Sequence, residues 1–102
     1  MPSYKAPLDD FHFILNEVLE VKSLTALYPD FDTGLMSAVL EEGANLCEQV
    51  LQPLNRSGDE EGCVYNDGTV TTPKGFKDAY TAFCEGGWPS LACDEAFGGQ
   101  GL

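Results

Sequence analysis

Apolar residues recur along this chain at three helical spacings, separated by one strand-like pair and followed by a glycine-rich close. Phe11, Ile14, Leu15 and Val18 follow the i, i+3, i+4, i+7 spacing of one helical face, while His12, Asn16, Glu17 and Glu20 fall mostly off it. This predicts a helix near 9–22, ending around Val21 to Ser23. Asp9 is its N-cap, accepting from a free backbone N–H, and Leu8 and Phe13 are placed for a hydrophobic staple. Residues 1–8, broken by Pro2 and Pro7, read as an extended arm, and 24–31 as a connection. The strongest stripe is Met36, Val39, Leu40, Gly43, Leu46, Cys47, Val50, Leu51 and Leu54. It predicts a long helix near 33–52, with Asp32 as N-cap and Ser37, Glu41, Glu42, Asn45, Glu48, Gln49 and Gln52 on the other side. Gly43, on the apolar side, permits a close approach by a neighbour. Pro53 removes one helix hydrogen bond and clashes with the preceding turn, so the helix should kink or end near Gln52.

Ser57 to Gly62 reads as an acidic, glycine-bounded loop. Cys63-Val64-Tyr65 and Thr69-Val70-Thr71 flank Asn66-Asp67-Gly68, a tight-turn sequence that predicts a short hairpin. Thr72-Pro73 reads as the start of a helix over 73–85, Thr as N-cap and Pro in the first turn. Phe76, Ala79, Tyr80 and Phe83 form its inward stripe. Gly86 or Gly87 supplies a left-handed C-cap, and Trp88 is expected to plug the junction with the long helix. Five glycines surround one Trp and one Phe between Gly86 and Leu102. Such a run is either a loop that lies against something or a flexible tail. The class is all-α with one short β-hairpin.

Charge and composition narrow the function. Seventeen acidic residues against five basic give a net charge of −12, which repels nucleic acid and anionic membranes. No apolar signal region opens the chain and no apolar run reaches transmembrane length. Cys47, Cys63, Cys84 and Cys93 form no CxxC pair, and the single His12 is far from them. They read as reduced, buried thiols of a cytoplasmic protein rather than a zinc or redox site. His12 reads as structural, and Glu41 and Glu42, pointing in different directions, as a solvated face. Asp30, Asp32, Gly34 and Glu41 only faintly match a calcium loop, since the glycine stands one place early. Gly98-Gly99-Gln100-Gly101 lacks the spacing and the Lys of a phosphate-binding loop. No catalytic, cofactor-binding or metal residue emerges. A core drawn from so short a chain is marginal alone, which favours burial completed against a larger protein.

Several segments together resemble the N-terminal helical domain of the acyl-CoA dehydrogenase family. They are Glu41-Glu42, Val50 to Arg56, Gly58-Asp59, Glu61-Gly62-Cys63, Thr71 to Lys77, Gly87-Trp88, Asp94-Glu95 and Gly98 to Leu102. The opening Tyr4 to Asp10 is similar to the N-terminal extension of one subgroup. The resemblance divides the chain into an extension with one amphipathic helix, 1–31, and the start of the helical domain, 32–102. It implies a flavoprotein that uses FAD to oxidise an acyl-CoA to the 2,3-enoyl-CoA and passes electrons to an electron-transferring flavoprotein, working as a homo-oligomer. The family's catalytic glutamate and flavin contacts lie in later domains, so none is carried onto residues 1–102. The segment resembles the helical layer that walls the acyl-chain side of the active site. The alternative is a stand-alone acidic helical module that docks partners on an exposed helix face.

Overall fold

The computed structural model describes residues 3–102; the expectation for Pro2 lies outside them. Residues 3–7 are extended. Helix α1, Leu8–Phe13, runs without a break into a wider π turn, Ile14–Val18. It starts one residue earlier than Asp9, and no side chain caps it. Leu8 therefore lies inside the helix, and the expected staple has no place. The helix also stops earlier than expected, because Glu20 adopts a left-handed conformation, φ +48°. The connection that follows is itself a 3₁₀ turn, Val21–Ala26.

The long helix is longer than its stripe implies. α2, Thr33–Asn45, passes through a π-helical segment, Leu46–Leu51, into α3, Gln52–Glu61. Asp32 caps it as expected, its Oδ1 accepting from the Leu35 N–H at 2.7 Å. Pro53 does not end the helix. Its ring would crowd the carbonyl four residues back, and the widened π turn just before it provides the room. The loop expected over Ser57–Gly62 is helical to Glu61. The Arg56–Glu60 ion pair, 2.9 Å at i, i+4, supports that last part. Gly58 is buried so close to the Phe76 ring that a Cβ there would overlap it. Gly62, φ +67°, then ends the helix.

Strands β1, Val64–Asn66, and β2, Thr69–Thr71, pair antiparallel with Tyr65 opposite Val70. Asp67 and Gly68 both have positive φ, as a two-residue hairpin turn requires. Helix α4, Phe76–Glu85, begins three residues later than Pro73 and has Gly75, not Thr72, before its first turn. Phe76 N–H donates to Pro73 O at 3.1 Å, so Pro73 to Phe76 form a separate turn. Gly87, φ +80°, ends α4 as expected, its N–H donating to Cys84 O at 3.0 Å.

The glycine-rich close is an ordered loop. Two short 3₁₀ turns, Trp88–Ser90 and Glu95–Phe97, fold it back on itself. Gln100 N–H donates to Ser90 O at 3.1 Å, Gly101 N–H to Cys93 O at 2.9 Å and Leu102 N–H to Leu91 O at 3.0 Å. Leu102 thereby joins Leu15, Val21, Leu24 and Met36 in one apolar cluster.

These elements form a flat layer. The Cα radius of gyration is 17.4 Å, against about 13 Å for a compact chain of this length. Among the described residues the buried apolar side chains are Val21, Ala44, Pro73 and Ala79.

Candidate functional site

An apolar groove of about 600 Å³ lies between the long helix and α4. The π segment and α3 contribute Cys47, Leu51 and Leu54, and α4 contributes Phe76, Ala79, Tyr80 and Phe83. Their spacings on the two helices are those of the sequence stripes, so the two apolar faces meet here. The Tyr80 and Phe83 rings stand 6.3 Å apart, tilted to one another. Tyr4, from the extended arm, completes the lining. Glu48 holds that arm, its Oε1 accepting from the Ala6 N–H at 2.8 Å and its Oε2 lying 3.6 Å from Lys5 Nζ. A position read as lying on the side opposite the apolar stripe is therefore turned toward the arm. No pattern in the sequence marks Tyr4 or Glu48, since the bond that joins arm to helix, Ala6 to Glu48, spans 42 residues.

The thiols correct the sequence reading. All four cysteines are free; Cys47 is half-buried in the groove, and Cys63, Cys84 and Cys93 are exposed. A flat layer has too little interior to enclose them. Tyr80, one turn before Cys84, has its phenol held above the ordinary tyrosine range, chiefly by a hydrogen bond with that thiol. His12 is half-buried at the end of α1, and Glu41 and Glu42 are exposed on the long helix as expected. Among the described residues no three His, Cys, Asp or Glu side chains converge as a metal set. None of the described helices is long and apolar enough to cross a membrane.

The groove can hold an apolar group; its lining offers only thiol, phenol and amide polarity. The glycine-rich close offers no amide cradle for a pyrophosphate. A pyrophosphate needs free backbone N–H groups or clustered cations. The amides of Gly99, Gln100, Gly101 and Leu102 all donate to carbonyls of residues 90–94. Lys5 and Arg56 already face Glu48 and Glu60.

A helical layer with one hairpin is the form expected of the opening part of an acyl-CoA dehydrogenase, and sequence comparison shows that the chain corresponds to a short N-terminal part of enzymes of that family. It is 34% identical over 102 residues to 3-methylmercaptopropionyl-CoA dehydrogenase of Ruegeria pomeroyi, covering 98% of this chain and 17% of the relative. It is 33% identical over 92 residues to butyryl-CoA dehydrogenase of Syntrophomonas wolfei, covering 83% of this chain and 15% of the relative. A broad-specificity linear acyl-CoA dehydrogenase of Mycobacterium tuberculosis is 31% identical over 104 residues, 98% of this chain and 17% of that one. The chain thus spans about a sixth of the length of these relatives. No protein-family model matches it.

Proposed function

We propose that the chain is the N-terminal helical layer of an FAD-dependent dehydrogenase that oxidises an acyl-CoA to the 2,3-enoyl-CoA, and that it supplies scaffold and no catalytic base. The observation that carries this reading is the flat shape, with large apolar side chains left exposed along the layer's helical runs. Phe11 on α1, Ile14 and Val18 in the π turn after it, Leu51 on the long helix and Tyr80 on α4 are examples. Apolar surface of that kind needs a covering partner, and the family likeness makes the rest of a dehydrogenase chain that partner. Residues 1–31 are then an N-terminal extension, and 32–102 the start of the helical domain. The apolar groove lies in the layer that walls the acyl-chain side. The whole enzyme is proposed as a cytoplasmic homo-oligomer that hands electrons to an electron-transferring flavoprotein. Neither the fold nor the relatives favour the stand-alone interaction module.

Residues 1–102 alone are expected to retain no flavin and to oxidise no acyl-CoA, because the amides of the glycine-rich close are engaged and the five basic residues are spread along an acidic chain. The test is to express the reading frame continued past Leu102 beside residues 1–102 and record absorbance spectra after incubation with FAD and desalting. A yellow long chain that bleaches on adding an acyl-CoA, beside a colourless short one, is the expected result. A stop codon directly after Leu102, a colourless long chain or stoichiometric flavin on the short one would overturn it.

A further inference from the structure

We propose that residues 3–7 act as a strap over the apolar groove, with Glu48 as its latch, so that release of the strap opens the groove. The arm has no regular secondary structure. Tyr4 nevertheless lines the groove beside Cys47 and Leu51, half a chain away in sequence. Among the described residues, Glu48 ties the arm to the long helix. Glu48 Oε1 accepts from the Ala6 N–H at 2.8 Å, and Glu48 Oε2 lies 3.6 Å from Lys5 Nζ. The backbone contact is the stronger of the two, being short and charge-assisted. The Lys5 contact is long, and its ammonium is almost fully exposed, so it contributes little. Glu48 stands in the π-helical segment, and its side chain is largely covered. A strap without regular secondary structure, tied by a charge-assisted hydrogen bond, opens locally while the helices stay folded. This inference is independent of the dehydrogenase reading, since it concerns only contacts within residues 3–83.

Cys47 is the built-in reporter, because it alone of the four thiols lines the groove. Its rate of alkylation by N-ethylmaleimide, read site by site by peptide mass spectrometry, measures how open the groove is. Ala6→Pro removes the donor without altering any charge, and Tyr4→Ala removes the cover without touching the latch. Loss of a hydrogen bond to a charged acceptor shifts an opening equilibrium about tenfold or more. The expected result is a rise of that size at Cys47 in both variants, with Cys63, Cys84 and Cys93 unchanged. Lys5→Ala should change Cys47 less than twofold. An unchanged Cys47 rate in both Ala6→Pro and Tyr4→Ala would overturn the proposal. So would a rise accompanied by loss of the helical circular dichroism signal in both, since the arm would then hold up the fold instead of gating the groove.

Discussion

The indole of Trp88 lies against Gly43 of the long helix, where a Cβ would stand 3.4 Å from the ring atom Cη2. That contact joins the turn after α4 to the last turn of α2, as the glycine on the apolar stripe and the Trp after Gly87 suggest. Leu46 and Ala82 lie in the same junction. Gly43→Leu should therefore push the ring outward, at about 1–3 kcal/mol, the usual range for overpacking. Trp88 is the only tryptophan, so its fluorescence reports the site directly. Emission should move to the red and the melting temperature should fall. Gly43→Ala should be close to neutral, because the helix preference of Ala, about 0.5–1 kcal/mol, offsets a tight contact. Wild-type emission in Gly43→Leu would show that the ring does not rest on this position.

Asp32 starts the long helix through a single bond, from the Leu35 N–H at 2.7 Å. Asp32→Ala leaves that N–H without its side-chain partner and should destabilise the protein by about 0.5–2 kcal/mol. Asp30→Ala, two residues earlier and outside the cap, should change little. Urea denaturation followed by circular dichroism separates the two. Equal midpoints for both variants would remove Asp32 from its capping role.

The features read correctly from sequence are those fixed by one or two adjacent residues. The Asp32 cap, the Asp67-Gly68 turn and the Gly87 stop each depend on local backbone chemistry, and each stands where the sequence puts it. Errors arise where a distant partner decides. Ser57-Gly58-Asp59 has loop composition, yet it is helical: Gly58 takes its place under the Phe76 ring and Arg56 reaches Glu60. Thr72-Pro73 has the chemistry of a helix start, but the helix waits until Phe76, after Gly75 at φ +92°. The apolar stripes of the groove were legible as faces, although not as a pair. Tyr4 and Glu48 were invisible, since an arm and a helix that meet across so long a separation leave no periodic trace. Cysteines were misplaced because composition does not reveal that the layer lacks an interior.

Gly99 has a stricter requirement than the glycines around it. A Cβ at this position would overlap the carbonyl of Cys93, a backbone group that cannot swing aside. Gly99→Ala should therefore break the return of the chain and release the bonds from Gln100 to Ser90, Gly101 to Cys93 and Leu102 to Leu91. Gly98 differs: its φ of +85° imposes backbone strain on any side chain, but no atom lies within 4 Å of its missing Cβ. Gly98→Ala should cost about 1–2 kcal/mol and leave the return in place. Amide hydrogen exchange at residues 100–102 should accelerate at least tenfold in Gly99→Ala and much less in Gly98→Ala. The helical signal should survive in both. Identical exchange in the two variants would contradict a backbone clash at Gly99.

Tyr80 provides a pH-dependent test of the exposed face of α4. Its phenol is held above the ordinary tyrosine range first by the hydrogen bond with Cys84, then by charge on that same group, and last by slight desolvation. Both contacts with Cys84 act against the phenolate form. The O–H donates to the sulfur, which favours the neutral phenol, and a second negative charge one turn away is repelled. Both effects push phenolate formation to higher pH. Cys84→Ala removes both, so the Tyr80 transition should move down toward the ordinary value. Cys84→Ser keeps a hydrogen-bonding group without a titrating charge and should fall between. Alkaline difference spectroscopy of the phenolate band, with Tyr80→Phe used to assign the component, reads the shift. A Tyr80 transition that stays put in Cys84→Ala would mean the two side chains do not interact in solution, and the exposed thiol would have to be excluded as its cause.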